Sequence, residues 1–178
     1  MKNLILKRSF YTRPTLQVAQ DLLGKYLVFG KKSGMITEVE AYIGFDDKAC
    51  HAARGQTKRN EIMFRKGGFA YIYLIYGIYH CLNITTEKKG FPSAILIRSL
   101  DLKNSNGPGK LCREFGLTRA QNGLDVTRPP IYIEDRLARR SFSEGGGDPN
   151  YNIIQTPRIG IDYSGKSAEL PWRFLIDN

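Results

Sequence analysis

Two carboxylates, Glu38 and Glu40, stand two residues apart in "MITEVEAYI", a run whose alternation predicts a β-strand. Alternate side chains of a strand lie on one face, so the two carboxylates share a face with Tyr42. Carboxylates this close are unfavourable unless one is exposed or meets a cation. The local sequence therefore leaves two interpretations of Glu40, a functional carboxylate or a solvated strand residue.

Arg98 is the cation that the sequence offers, because it interrupts the apolar run "FPSAILIRSL", which predicts another strand. A partly buried arginine needs an anion, and a carboxylate such as Glu40 or a phosphate would serve. The alternative is an arginine at the strand end that reaches water.

Four of the ten tyrosines lie within "FAYIYLIYGIYHCLNI", which predicts a hairpin that turns near Tyr76 and Gly77. Tyr71 and Tyr73 share one strand face. Tyr76 is at the turn, where an aromatic ring suits a core badly and suits a wedge well. On a basic protein, such rings predict a surface that stacks nucleic acid bases. A tyrosine-rich core strand is the alternative.

Two loop segments carry further candidates. His51 in "KACHAARG" is a candidate for hydrogen bonding or stacking, with an ordinary loop histidine as the alternative. Its neighbour Cys50 does not make a nucleophile–base pair, since catalytic partners meet in space rather than in sequence. "GPGK", which ends at Lys110, lacks the spacing of a nucleotide-binding P-loop, but it could present amides to a single phosphate at a helix start.

The elements that must position these residues predict an α+β fold in one domain spanning 1–178. Residues 14–23 predict a helix that Gly24 ends, and a second helix begins at Pro108. Strands are predicted over 25–30 and 35–43, with a turn at "KKSG" between them. In the second of these strands, the spacing puts Ile36 on the face of Glu40. Three later segments complete the prediction: a short strand at "YIED", a flexible loop at "SEGGGDPN", and a strand entering a turn at "RIGIDYSG".

Charge indicates a polyanionic partner, because 27 Lys and Arg face 17 Asp and Glu, a net charge of +10. A hydrophobic content of 42% is enough for a core. No apolar run approaches the ~20 residues that span a bilayer, and the N-terminus does not resemble a signal peptide, so we expect an intracellular protein without membrane contact. Three cysteines without a C-x-x-C pair and two histidines indicate neither a disulfide framework nor a metal centre.

Five ordered blocks resemble the alkyladenine (3-methylpurine) DNA glycosylase family, from about residue 8 to the C-terminus; they are "TEVEAYIGFDDKACHAARGQTKRNEIMF", "YIYLIYGIYHCLNI", "AILIRSL", "GPGKLC" and "RIGI". The resemblance implies a monofunctional enzyme of base excision repair that acts on damaged purines in double-stranded DNA, without metal or cofactor. It also implies a monomer of one domain. Its curved antiparallel sheet would be distantly like the C-terminal domain of methionyl-tRNA formyltransferases.

The resemblance also implies roles for single residues. Glu40 matches the family's general base, and Arg98 and the backbone carbonyl of Ile159 match the groups that hold the attacking water. Tyr76 matches the wedge that fills the gap left by the extruded nucleotide, with Ile78 two positions later, where some members carry Met. The resemblance assigns the base pocket to four residues, Tyr42, His51, Tyr73 and Asn83, of which Asn83 opposes guanine. Among the basic side chains, we expect Arg59 and Lys110 to contact the DNA backbone.

Two other classes of function stay open at this point. A nucleic-acid binding module could use the same tyrosines without catalysis, although it would have no use for a carboxylate facing an arginine. A glycosylase with lyase activity would need a Schiff-base lysine, for which Lys48 and Lys58 are candidates that match no family nucleophile. The sequence names no general acid for the leaving base and does not rank the damaged purines.

Overall fold

The computed structural model of the chain describes residues 4–136 and 152–177. The helices are α1 (Arg8–Tyr11), α2 (Thr15–Leu22) and α3 (Pro108–Phe115), and three 3₁₀ segments cover Glu61–Phe64, Arg119–Gln121 and Asp162–Glu169. The strands are β1 (Tyr26–Phe29), β2 (Lys32–Ile43), β3 (Ala70–Ile75), β4 (Tyr79–Thr85), β5 (Ser93–Leu100), β6 (Thr127–Arg128), β7 (Ile131–Glu134), β8 (Ile153–Thr156) and β9 (Arg173–Ile176). The predicted loop "SEGGGDPN" lies outside the described residues.

Antiparallel pairing joins these strands into one sheet, whose main path runs β3-β4-β5-β2-β1-β7-β6. The twelve-residue β2 is its centre. It pairs with β5 on one edge, and with β1 and then β9 on the other. Short antiparallel strands with a few helices confirm the predicted α+β class. The likeness to the formyltransferase domain stays a prediction.

An irregular pairing of β2 with β5 corrects the predicted faces of β2. The register shifts between Ile36 and Glu38 and again between Glu38 and Val39. A bulge turns the following side chains to the other face of the strand. Ile36 is therefore in the hydrophobic core with Val39 and Ala41, and its predicted place beside Glu40 is wrong. Glu40 and Tyr42 keep the shared face that the alternation predicts.

The predicted helices and the predicted hairpin are confirmed. Helix α3 begins at Pro108, buries Leu111, Cys112 and Phe115, and ends at Gly116 in the left-handed conformation. Strands β3 and β4 pair from Ala70↔Ile84 to Ile75↔Tyr79, which places Tyr76, Gly77 and Ile78 in the turn.

Two predicted segments differ from the structure. The turn at "KKSG" is wrong, because Phe29 pairs with Lys32 and a two-residue turn, Gly30–Lys31, joins β1 and β2. Gly30 supplies the positive φ, +60°, that a tight turn requires. The strand at "RIGIDYSG" is also wrong. The Ile159 amide donates to Glu40 instead of a neighbouring strand, and a 3₁₀ segment begins at Asp162.

Two groups of buried apolar residues lie within the fold. The larger includes the inward faces of α2 and α3 and the core face of β2, and it fixes the sheet against the helices. The smaller lies beside the loop after β2 and comprises Cys50, Ala52, Ile62, Met63, Tyr71 and Ala94. Tyr42 and Tyr73 pack against this second group, so it supports the wall of the cavity described next. Within the described residues, no helix is long and apolar enough to cross a membrane.

Candidate active site

A cavity of about 300 Å³ opens on the sheet face that carries Tyr42 and Arg98. Its volume is at the lower end of the range for small-molecule sites. Strands β2 to β5, the start of α3 and the segment after β8 contribute its lining. The aromatic members of that lining are Tyr42, His51, Tyr71, Tyr73, Tyr76, Tyr79 and Tyr163. Such a site suits a flat ring that is held by stacking.

Glu40 lies directly behind the cavity wall and is fully buried. Its Oε1 accepts the Ile159 amide proton at 2.8 Å, and Arg98 Nη1 lies 3.2 Å from the same oxygen. Its Oε2 accepts the Tyr42 hydroxyl at 2.8 Å. A buried carboxylate needs such partners, because burial without them costs several kcal/mol (order of magnitude). The interpretation of Glu40 as a solvated strand residue is therefore wrong.

Arg98 connects the two carboxylates that the sequence singled out. Its Nε donates to Glu38 Oε1 at 3.0 Å, while its Nη1 faces Glu40. Arg173 Nε donates to the same Glu38 oxygen at 2.6 Å, and the Ser99 hydroxyl donates to the other at 2.9 Å. Burial raises the pKa of Glu38, but these hydrogen bonds and the charges of Arg98 and Arg173 outweigh it and lower the pKa. The predicted anionic partner of Arg98 is thus a pair of carboxylates.

Tyr42, His51 and Tyr73, all predicted for the pocket, line one cavity. The rings of His51 and Tyr73 meet edge to face, with centroids 4.5 Å apart. His51 Nδ1 lies 2.9 Å from the Tyr71 hydroxyl. Desolvation and the charge of Arg59 lower the pKa of His51, which favours the neutral ring. Burial and the adjacent Glu40 raise the pKa of Tyr42, so its hydroxyl remains a donor.

Asn83 lines the same cavity and is buried on β4 opposite Tyr71. Its Nδ2 donates to the carbonyls of Tyr71 and Cys81, at 3.2 and 3.3 Å. These bonds fix the plane of the amide.

The turn between β3 and β4 presents two apolar side chains to solvent. Tyr76 is 82% exposed and Ile78 is 69% exposed. Tyr76 also has a positive φ, 53°, which is rare for a residue with a side chain and indicates a constrained turn. Because Tyr76 lines the cavity mouth, the hairpin holds an exposed ring beside the pocket.

The two basic residues predicted for the DNA backbone are both exposed. The Arg59 guanidinium lies 5.7 Å from the centre of the Tyr73 ring and donates to the Leu74 carbonyl. Lys110 lies on the first turn of α3, next to Pro108 and Gly109, which line the cavity. Neither of the candidate Schiff-base lysines, Lys48 and Lys58, is part of the lining.

Sequence reasoning missed a fully buried ion pair between Asp47 and Arg158. The Arg158 guanidinium reaches both Asp47 oxygens, at 2.6 and 2.8 Å, and also donates to the carbonyls of Ala41 and Ser167. It therefore fixes the segment that presents the Ile159 amide to Glu40. The available signal was a charged residue in the short apolar block "RIGI", which was interpreted as a strand.

Sequence reasoning also missed Tyr163, which is 75% exposed and lines the cavity from the 3₁₀ segment that follows Ile159. Its distance in sequence from the tyrosine-rich hairpin gave no signal of this proximity. The described residues contain no cluster of three or more His, Cys, Asp or Glu that could hold a metal ion.

Taken together, an aromatic cavity, a buried carboxylate–arginine pair behind its wall and an exposed ring at its mouth form a site whose shape and chemistry suit a flat ring. Comparisons with known proteins agree. The family model described as "Methylpurine-DNA glycosylase" matches residues 9–178. The chain is 51% identical to a protein of Wolbachia sp. subsp. Brugia malayi, covering 99% of both chains. It is 50% identical to one of Sodalis glossinidius, covering 98% of both, and 47% identical to one of Methanocella arvoryzae, covering 98% of this chain and 93% of that one.

All three relatives carry the name "Putative 3-methyladenine DNA glycosylase". The chain belongs to the methylpurine-DNA glycosylase family. It is accordingly a DNA glycosylase, a hydrolase that acts on N-glycosyl bonds with DNA as its substrate.

Proposed function

We propose that the protein is a monofunctional glycosylase that extrudes alkylated or deaminated purines from duplex DNA and hydrolyses their N-glycosidic bond. The observation that carries this proposal is the environment of Glu40, a buried carboxylate held between Arg98, Tyr42 and the Ile159 amide behind an aromatic cavity. It would act as a monomer of one domain, without a metal or cofactor, in the compartment that holds the DNA.

Extrusion comes first, because the bond to be broken is inaccessible within the stacked duplex. Rotating a base out of the stack costs a few kcal/mol (order of magnitude), and a side chain that fills the gap offsets part of that cost. Tyr76 has the exposure and the rigid turn for this role, and Ile78 lies beside it. The extruded base then stacks among Tyr42, His51 and Tyr73.

Hydrolysis follows through an oxocarbenium-like sugar, as in other glycoside cleavage. The C1′–N9 bond breaks, and its electron pair leaves with the purine. A water oxygen bonds to C1′, and Glu40 takes the water proton. The Ile159 amide and the Tyr42 hydroxyl donate to two of the roughly four acceptor positions of the carboxylate, and Arg98 faces Oε1 as an ion pair, so the carboxylate retains the capacity to accept a hydrogen bond from this water. Arg98 and the Ile159 carbonyl would hold the water in line with the C1′–N9 bond.

Three further residues have supporting roles in this proposal. Asn83 would exclude the 2-amino group of guanine from the pocket floor. Arg59 and Lys110 would bind phosphates on either side of the extruded nucleotide. An alkylated purine already carries positive charge and leaves readily, whereas hypoxanthine needs a proton on the leaving ring.

Single-turnover excision tests the proposal on duplexes carrying an alkylated purine or hypoxanthine, with abasic sites revealed by alkaline cleavage. Glu40→Gln should lose at least a hundredfold in rate, the lower limit for a general base, while still binding the damaged duplex. Glu169→Gln, which neutralises an exposed carboxylate that does not line the cavity, is the matched control. Excision by Glu40→Gln within tenfold of the wild type would remove Glu40 from the mechanism.

Assays on the same protein and duplexes distinguish the proposed function from the two other classes. A binding module would retain the damaged duplex and release no base. A lyase would leave a covalent protein–DNA complex after borohydride treatment, which the proposed water-activating mechanism does not form.

A further inference from the structure

Glu38 is a second carboxylate at the site, and the proposed reaction does not use it. It lies two residues before Glu40, at the irregular pairing of β2 with β5. That irregularity leaves Glu38 paired with Ser99 in register and brings Arg98 between the two carboxylates. A bulge is a common way to re-aim a side chain next to an active site.

The contacts form one chain of alternating charge that runs Arg173–Glu38–Arg98–Glu40. Arg173 Nε lies 2.6 Å from Glu38 Oε1, and Arg98 Nε lies 3.0 Å from the same oxygen. Arg98 Nη1 lies 3.2 Å from Glu40 Oε1. All four side chains are at least three-quarters buried, so solvent screens the chain weakly.

We propose that Glu38 is a positioning residue that orients Arg98 toward Glu40 and balances its charge. The proposal rests on the function proposed above. Glu38 binds the Nε edge of the guanidinium, which fixes the plane of the fork and leaves Nη1 facing Glu40. Glu38 also offsets one of the two guanidinium charges, which reduces the net positive charge that faces Glu40.

The other groups near Glu40 are neutral or have their charge compensated, so the four-residue chain determines the charge that faces Glu40. Burial raises the pKa of Tyr42 on β2, Tyr73 on β3 and Cys81 on β4, so all three remain neutral near neutral pH. A further charged group close to the site, among the described residues, is Arg158 in the segment after β8, whose guanidinium stacks on the Tyr42 ring. Asp47 compensates its charge at 2.6 Å.

Two substitutions should move the pH dependence of excision in opposite directions. Glu38→Gln removes a negative charge near Glu40. The acid limb of the pH–rate profile, where the single-turnover rate falls as the pH drops, should therefore move to lower pH by on the order of one pH unit. Arg173→Gln leaves the charge of Glu38 less compensated and should move the limb to higher pH. An alkylated purine is the appropriate substrate, because its positive charge removes the need to protonate the leaving base.

Ser99→Ala is the matched control, since it removes a neutral donor to Glu38 and changes no charge. Its acid limb should coincide with that of the wild type. A loss of stability alone would lower the rate of both charge variants without shifting their limbs in opposite directions. Unshifted limbs, or shifts of the same sign, would overturn the proposal, and Arg173→Gln alone decides the sign if Glu38→Gln does not fold.

A readout that needs no activity separates this proposal from the proposed function. The Nε–H of Arg98 should exchange slowly with water in the wild type because Glu38 accepts it, and should exchange at least tenfold faster in Glu38→Gln. Ser99→Ala should retain slow exchange. Equal exchange in the wild type and Glu38→Gln would contradict the positioning role even where excision is normal. Slow exchange in a wild type that excises nothing would overturn only the catalytic proposal.

Discussion

At the scale of single residues, Glu40 and Asn83 are each held by two or more partners. Glu40 has three neighbours that donate to it or neutralise it, and Asn83 donates to two carbonyls. Buried polar groups that are fully bonded hold one geometry, whereas an unpaired one costs about 1–3 kcal/mol. Rigid polar groups allow a small pocket to discriminate between rings that differ by one exocyclic group.

Asn83→Ser should weaken discrimination against guanine. Serine is shorter and loses both hydrogen bonds of the amide, so the pocket floor opens toward the position of a 2-amino group. We expect the ratio of guanine-type to hypoxanthine excision to rise tenfold or more, as about 1.4 kcal/mol of lost exclusion would give. The measurement is the ratio of single-turnover rates in matched duplexes.

Asn122→Ser is the control for that ratio. Asn122 also binds the backbone of β3, through the Ile72 amide at 2.8 Å, but it does not line the cavity. Its substitution should leave the ratio unchanged. The same ratio in Asn83→Ser and the wild type would make Asn83 structural.

His51 should make stability depend weakly on pH just below neutrality, because the residue is exposed and solvent screens much of the effect. Its pKa is lowered from 6.5 in the folded protein, by desolvation and by Arg59, so the unfolded chain binds the proton more readily. The free energy of unfolding is then unaffected above the unfolded pKa and falls as the pH drops below it toward the folded pKa. Urea unfolding at pH 7.5 and 5.5 should show a smaller decrease for His51→Gln than for the wild type. An equal decrease would contradict this role of His51.

At the scale of elements, the hairpin of β3 and β4 places its tyrosines in two different environments. The strand tyrosines Tyr71 and Tyr73 line the pocket, and the turn holds Tyr76 outside the core. Tyr76 is not among the partners of Glu40 or Arg98, so a substitution in the turn leaves their contacts in place.

Tyr76→Ser should therefore impair extrusion more than chemistry. A fluorescent base analogue next to the lesion should report a smaller extruded fraction, since nothing fills the vacated position. Phe45→Ser is the control, because Phe45 is another exposed aromatic residue but does not line the cavity. A fraction equal to that of the wild type would count against the wedge.

The buried pair of Asp47 and Arg158 holds the segment between β8 and the 3₁₀ segment at Asp162. Asp47→Asn leaves the Arg158 charge without its carboxylate and should cost roughly 3–5 kcal/mol of stability, the range for a broken buried pair. Urea unfolding measures this loss. The exposed pair of Arg13 and Asp21 provides the contrast, since Asp21→Asn should cost less than about 1 kcal/mol. Similar losses in the two variants would contradict the argument.

Local patterns predicted the elements that depend on local chemistry. Pro108 marks the start of α3, and strand alternation places Glu40 with Tyr42. The bulge beside Glu38 depends on the partner strand, and the segment at Ile159 depends on Asp47, more than a hundred residues earlier. Periodicity within one segment carries no information about either contact, which is why both were missed.

At the scale of the whole molecule, exposed apolar side chains concentrate where a nucleic acid would lie. Large apolar side chains on a protein surface commonly mark an interaction site. Five of the large exposed ones line the cavity or flank its mouth, namely Tyr76, Ile78, Tyr79, Ile159 and Tyr163. The +10 charge provides the long-range attraction to phosphates that these contacts lack.

Affinity for duplex DNA should therefore fall steeply with salt. Each lysine or arginine that neutralises a phosphate releases counterions, so the logarithm of the affinity falls linearly with the logarithm of the salt concentration. Arg59→Gln should reduce that slope by about one, as expected for one lost phosphate contact, whereas Glu169→Gln should not reduce it. Fluorescence anisotropy from about 50 to 200 mM salt measures both slopes. A flat response would contradict binding through phosphates, and an unchanged slope for Arg59→Gln would place the DNA backbone away from the wall that Tyr73 and Arg59 form.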